Sequence, residues 1–352
     1  MKKIFNLKYI ILSVFFISSA GIFTSCDDWT TPESLDIEVP NIADENNALY
    51  QQYLENLRNY KESYHQLLIG WFDNSDKSFV SRGMHVASVP DKTDIISLMA
   101  PDNLTNLELD EIAVLRNDKG TKVIYTIDYD AIARNITAII AAAEDEAAAV
   151  EPGNPEVIVP DFYELLEAEL DRQFALLSKY NYDGLCIGYI GFSNQFPTVA
   201  DLELLTRTQN MIFERLERLT PGVLLFAGLP ENLLDRTRLF QFDYIVVQTQ
   251  SAADINHFTV LANASIQAGV PADRIIVSVY PPSLDPSDVK TGYFVEGNSP
   301  TILGAAQWLK MPGNITKAGL AIYRINDDYY NSQSDYKYTR DAIDIMNPSP
   351  QK

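Results

Sequence analysis

Residues 182–190 read Tyr-Asp-Gly-Leu-Cys-Ile-Gly-Tyr-Ile, a short apolar run entered through an Asp-Gly pair and left through Gly191-Phe192-Ser193-Asn194. A run that is apolar at consecutive positions, not at alternate ones, suits a strand covered on both faces. Seven more runs rich in Ile, Val and Leu share this form: Leu67–Trp71, Asp94–Met99, Lys122–Ile127, Val223–Ala227, Tyr244–Gln248, Arg274–Val279 and Gly319–Tyr323. Helical patterns lie between them, among them Asp130–Val150, Asp161–Tyr180, the row Leu202, Leu205, Ile212, Leu216 and Leu219, and Ala252–Ala268. Gly269 and Pro271 close the last of these, as a helix stop requires. Eight buried strands alternating with helices predict a closed (β/α)8 TIM barrel of the α/β class. An open doubly wound sheet is the second reading, but no Gly-x-Gly-x-x-Gly follows the first strand.

Working outward, Tyr50, Tyr53, Leu57, Tyr60 and Tyr64 recur at helical spacing and predict a helix leading into the barrel, its aromatic stripe buried as core. Between the third and fourth strands the two helical segments flank the Pro-rich stretch 151–160, so this crossover carries an insertion; its acidic Glu144-Asp145-Glu146 reads as a solvated face. After the seventh strand, residues 281–300 form a long loop holding Pro281, Pro282, Pro286, Tyr293 and Phe294. Loops that leave the C-terminal ends of barrel strands build the active face, so this loop is expected to border a ligand site.

The 352 residues are 46% hydrophobic and 21% charged, enough apolar mass for a large core. Acids outnumber bases 48 to 27, giving a net charge of −21, with no surplus of positive charge to neutralise phosphates. A nucleic-acid partner is thereby disfavoured. Apart from Cys26 the chain holds only Cys186, so no disulfide forms within the mature barrel. His65, His85 and His257 are scattered without metal-ligand spacing, and neither a metal nor a cofactor is expected.

Lys2, Lys3 and Lys8 precede the apolar run Tyr9–Ile17, and small residues then lead to Cys26, the layout of a secretory signal. Asp27 to Asn47 holds seven acids, no Lys or Arg, and Pro32 and Pro40, which reads as a solvated tether. The expected organisation is a signal peptide over 1–25, a tether over 26–47, the barrel over 48–346 and a tail over 347–352. Phe23-Thr24-Ser25-Cys26 resembles the bacterial lipoprotein box, which implies that Cys26 is diacylated; the alternative is an ordinary signal with a chance cysteine. Asp27 and Asp28 resemble the export signal of Bacteroidetes surface lipoproteins, implying an outer-membrane anchor that faces the cell exterior.

Residues 182–190 also resemble the fourth-strand signature of glycoside hydrolase family 18, the chitinases and endo-β-N-acetylglucosaminidases, which reads Asp-Gly-x-Asp-x-Asp-x-Glu. Asp183-Gly184-Leu185, the place on the fourth of eight strands, Gly70-Trp71-Phe72 on the first and the lipoprotein head together resemble the Bacteroidetes branch of that family. In the family the glutamate is the general acid and a neighbouring aspartate orients the substrate's own acetamide as nucleophile. The resemblance places Cys186, Gly188 and Ile190 at the carboxylate positions, so the motif around Asp183 is degenerate and no catalytic residue is assigned. Two further features depart from the family: Thr126-Ile127-Asp128-Tyr129 replaces the third-strand Ser-x-Gly-Gly pattern, and Val246-Val247-Gln248-Thr249-Gln250 lacks a mouth tyrosine.

The resemblance implies a barrel that has lost hydrolysis and kept the binding of N-acetylglucosamine-containing glycans such as N-glycans, beside a glycan importer and surface glycosidases. Its mouth offers Trp71, Tyr189, Phe192, Phe196, Tyr280, Tyr293 and Tyr323 as stacking surfaces, with Asp73, Asp128, Gln248 and Asn326 as hydroxyl partners. Two alternatives stay open. One is a hydrolase using relocated carboxylates, for which Asp73, Asp128, Asp130, Asp327 and Asp328 stand on the correct face; the other is a barrel with no ligand.

Overall fold

The computed structural model describes residues 46–150, 157–193, 197–220, 222–295 and 299–348. Cys26, the signal, most of the tether, Phe196 and the last residues of the tail lie outside the described residues. The chain divides into two units, Met1–Gln51 and Gln52–Lys352, the second of which contains the barrel.

Helix α1 (Asn47–Glu62) leads to β1 (Leu67–Phe72), after which β2 (Ile95–Leu98), α2 (Asn106–Ala113), β3 (Lys122–Asp128), α3 (Tyr129–Ala148) and α4 (Phe162–Lys179) follow. The second half runs β4 (Gly184–Tyr189), α5 (Val199–Leu216), β5 (Val223–Gly228), β6 (Tyr244–Val247), α6 (His257–Gln267), β7 (Ile275–Val279), α7 (Thr301–Lys310), β8 (Lys317–Ile322) and α8 (Lys337–Met346). All eight strands pair in parallel with their sequence neighbours, and β1 pairs with β8 to close the barrel. Among the described residues no helix is long and apolar enough to cross a membrane.

Alternation along each strand produces two apolar layers. Leu68, Phe72, Tyr125, Ile187, Phe226 and Val277 face the helices, while Ile69, Trp71, Ile124, Cys186, Val246 and Ile276 fill the barrel. The inner end is clasped by a repeated device. Asp94, Asp183 and Asp243, each just before an even-numbered strand, accept hydrogen bonds from the backbone N–H of Leu68, Val123 and Leu224 on the preceding strand, at 2.8, 2.7 and 2.9 Å. Asp183 also binds Arg116 at 2.9 Å, so the aspartate of the Asp-Gly pair acts as a clasp at the pole remote from the strand ends that form the mouth.

Three expectations need correction. Not every crossover carries a full helix: between β1 and β2, and again between β5 and β6, there are only short 3-10 turns. Helix α6 begins at His257 and not near Ala252, because the Asp254 carboxylate takes the N–H groups of Asn256 and His257 and starts the helix there. Its other end agrees with the sequence: Gly269 sits at φ 103°, a conformation open to glycine, and Val270 N–H closes onto Ser265 O at 3.1 Å. Finally, the aromatic stripe of α1 is not core. Of the expected row only Leu57 is buried, beside Leu54; Tyr50 and Tyr60 are half-buried, Tyr53 is exposed, and Tyr64 is exposed just after the helix ends.

Candidate functional site

The C-terminal ends of the strands surround a cavity of about 280 Å³, lined by Trp71, Met99, Thr126, Asp128, Gln248 and Tyr323 among others. Its size is close to the lower end of ligand clefts, about 300 Å³. The inward row of β4 forms one wall. Cys186 is wholly buried, and burial pushes its thiol up to about 12, so it is neither acid nor nucleophile near neutrality. Gly188 pairs with Asp128 on β3 and Ala227 on β5; a Cβ there would meet Thr126 Cγ2 at 3.2 Å. Ile190 follows at the rim, 43% exposed. These three positions contain no carboxylate.

Under the cavity lies a polar and aromatic floor. The Trp71 indole N–H donates to Thr126 Oγ1 at 2.8 Å, and the Ser97 hydroxyl lies 3.0 Å from the same oxygen. Trp71 stacks on Tyr323 with ring centroids 4.6 Å apart, and Tyr323 on Tyr280 at 5.6 Å, so one aromatic row crosses from β1 through β8 to the end of β7. Trp71 is only 3% exposed, so it forms part of the cavity floor with little free face. Burial raises the Tyr323 hydroxyl well above its ordinary range, whereas Tyr280 stands 38% exposed. Of the row, Tyr323 lines the mouth cavity and Tyr280 stands exposed beside it.

Most of the mouth acids are already engaged. Asp130 accepts from the backbone N–H of Ile190 at 2.6 Å and of Gly191 at 2.9 Å. Asp73 and Asp327 both pair with Arg324, at 3.1 and 2.9 Å. Asp328 is buried and receives the Thr339 N–H and hydroxyl, each at 2.7 Å, anchoring the start of α8. Asp128 caps α3 by accepting from Ala131 N–H at 3.0 Å through Oδ1; among the described residues its Oδ2 has no hydrogen bond, and the residue is exposed at the cavity. Among the described residues no group of three or more His, Cys, Asp or Glu is arranged to hold a metal ion.

Several expected contacts fall elsewhere. Tyr189 is 2% exposed and points outward, as the parity of its strand dictates, with its hydroxyl accepting from Gln209 Nε2 at 2.9 Å and its ring against Tyr129. It packs behind the barrel wall and is no stacking surface. Asn326 is buried, accepting from Asp73 N–H at 3.0 Å, and so ties the end of β1 to the loop after β8. Tyr293 lies apart from the mouth cavity, in a separate groove between the loops after β7 and β8 with Pro282, Asp327 and Tyr338. Described residues of the loop after β7, Pro282, Leu284, Pro286 and Tyr293, line that groove. Phe192 is half-buried on the loop after β4, and Gln248 is exposed at the rim.

Sequence reasoning missed Arg324 and undervalued Thr126. Arg324 holds φ 52°, a left-handed conformation unusual for a non-glycine residue, directly after Tyr323, and nothing in local sequence signals it. Thr126 was legible: it shares inward parity with Ile124 and Asp128 on β3.

The family model described as Glycoside hydrolase family 18, BT1044-like, matches residues 30–345. Among solved structures, a selenomethionine Glu-to-Gln variant of BT1044 superposes with a TM-score of 0.56 at 17% identity, covering 87% of this chain and 95% of that one. The endo-β-N-acetylglucosaminidase of Cordyceps militaris gives 0.57 at 19% identity, covering 84% and 96%. A doubly substituted variant of the same enzyme, bound to fucosyl-N-acetylglucosamine-Asn, gives 0.55 at 19%, covering 84% and 95%. No curated protein matches the sequence significantly. At these identities the structural likeness speaks for the fold, and the extent of the family match decides membership: the chain belongs to glycoside hydrolase family 18, in its BT1044-like group.

Proposed function

We propose that this protein is a cell-surface member of family 18 that holds N-acetylglucosamine-containing glycans, such as N-glycans, at the barrel mouth without cleaving them. The observation that carries this reading is the inward row of β4. Cys186, Gly188 and Ile190 present a high-pKa buried thiol, no side chain and an alkyl group where a glycosidic oxygen would need a proton donor. A positioned general acid is worth about 10²–10⁴ in rate, and the acids nearby are held by backbone N–H groups, Arg324 or helix N-termini. The exposed Tyr280 and the cavity-lining part of Tyr323, with Gln248 and Asp128 at the rim, supply ring stacking and hydroxyl partners for a pyranose. The Cordyceps relative holds fucosyl-N-acetylglucosamine-Asn, which supports the ligand class. Diacylation at Cys26 would anchor the protein in the outer membrane, facing outward, where captured glycans pass to an importer and surface glycosidases.

The test is incubation of the purified protein with N-glycoproteins and chitooligosaccharides, read by mass spectrometry beside a glycan array. Binding without release of free glycan is the expected result. Release of glycan that disappears in Asp128→Asn would instead favour the hydrolytic reading, since Asp128 is the exposed mouth acid with an unengaged oxygen.

A further inference from the structure

Three tyrosines of the expected core stripe, two on α1 and Tyr64 just after it, instead wall a cavity at the opposite pole. Tyr53, half-buried Tyr60 and Tyr64, the last 94% exposed, line about 800 Å³ beside the start of β1 and the end of α8. That volume lies within the range of small-molecule clefts, about 300–1,000 Å³. In a chain of net charge −21 the described residues of the lining include no Asp or Glu, yet they include Lys92 and Lys310. Among the described residues neither lysine forms an ion pair; Lys92 Nζ sits 5.5 Å from the centroid of the Tyr60 ring.

Asp344 lines an adjoining groove that shares Tyr53 and Lys92 with this cavity, and two other acids of this pole are engaged. Asp94 holds His65 Nε2 at 2.9 Å and the Leu68 N–H, while Asp91 holds Lys119 at 2.9 Å and the Tyr53 hydroxyl at 2.5 Å. The frame is fixed by tertiary hydrogen bonds. Gln66 N–H donates to Asn347 Oδ1 at 3.0 Å, Asn347 Nδ2 donates back to Gln66 O at 2.7 Å, and Gln66 Nε2 donates to Leu309 O at 3.0 Å, joining β1 to the ends of α7 and α8.

Tyrosine faces cover the apolar side of a pyranose, and two ammonium groups in a wall whose described residues include no carboxylate select negative charge. We propose that this pole is a second binding site, taking an acidic saccharide that bears a carboxylate or sulfate group. It stands independently of what the mouth binds.

Calorimetric titration of the full chain with sialyllactose, glucuronic acid and neutral lactose tests this. The acidic sugars should bind at least about tenfold more tightly than lactose, and more weakly as salt rises. Lys310→Ala, Lys92→Ala and Tyr64→Ala should each lower affinity about threefold to tenfold, Lys310→Arg should retain it, and Tyr280→Ala at the mouth should leave it unchanged. Absence of binding, equal binding of lactose, inorganic sulfate competing as well as the sugars, or loss in Tyr280→Ala with the lysine variants unaffected would each overturn the assignment.

Discussion

Asp130 holds the backbone of Ile190: the carboxylate at the start of α3 accepts the Ile190 N–H at 2.6 Å and the next N–H, of Gly191, at 2.9 Å. The rim of the fourth strand is thus shaped by a carboxylate acting on main chain, at the position where the family signature ends in a glutamate side chain. Replacing Asp130 by Ala leaves two N–H groups without their charged acceptor. A loss of about 1–3 kcal/mol is expected in urea unfolding, together with weaker glycan binding; an unchanged midpoint would show that the clasp is dispensable.

Trp71 and Tyr280 belong to one aromatic row but should respond differently. Trp71→Ala removes a 3% exposed ring and its bond to Thr126 and should cost about 3–5 kcal/mol of stability. Tyr280→Ala, at an exposed end, should leave the melting temperature nearly unchanged and weaken glycan binding by about 1–2 kcal/mol. Parallel melting curves and binding titrations separate the two.

Restoring acids on β4 is not expected to restore hydrolysis. Gly188→Asp places a Cβ 3.2 Å from Thr126 Cγ2, so β3 must yield by a few tenths of an ångström. Displacement on that scale already matters, since a misplacement of about 1 Å can lose 10²-fold in rate. The Gly188→Asp, Ile190→Glu double variant should therefore melt lower than the parent and release no free N-glycan by mass spectrometry.

Beneath the barrel, two basic groups make stability depend on pH in opposite senses. Burial pulls the His65 imidazole down, but the hydrogen bond and charge of Asp94 and the Ser63 carbonyl outweigh it, and its pKa is raised from 6.5. Its stabilisation is complete below the unfolded value of about 6.5 and is lost as pH rises through the folded one. Burial lowers Lys61 from 10.5 to about 8, against the pull of Asp94 and Asp91, so folding bears the cost of its charge below pH 8 and is relieved between there and 10.5. Urea midpoints should show His65→Gln costing most at acid pH; a cost that grows with pH would refute the assignment.

Cys26 and Cys186 should behave as different chemistries. Cys26→Ala should abolish fatty-acid labelling and move the protein into the aqueous phase of a detergent partition. In that variant the remaining thiol, fully buried Cys186, should react with Ellman's reagent only after unfolding. Rapid reaction in the native state would mean that the barrel interior is open.

How far the sequence reaches depends on whether the deciding contacts are local. Leu67–Phe72, Gly184–Tyr189 and Ile275–Val279 were legible because a parallel strand buried on both faces must be apolar at nearly every position. The end of α6 was legible because Gly269 adopts a conformation that other residues resist. Its beginning was not, because the Asp254 side chain competes with the helix for the same N–H groups.

By itself the sequence determined the eight-stranded barrel and the inward parity of Cys186, Gly188 and Ile190, since both follow from patterns within a strand. The same parity turns Tyr189 away from the mouth, a consequence confirmed by its contact with Gln209. Only the tertiary structure decided which polar groups stay free. Asp130 meets a backbone 60 residues away, and Asn326 meets Asp73 across 253 residues. Tyr53, Tyr60 and Tyr64 look apolar enough for a core, yet they line a cavity between the start of β1 and the ends of α7 and α8. Such outcomes depend on distances set by chain closure, and periodicity carries no information about what will stand opposite a side chain once the barrel has closed.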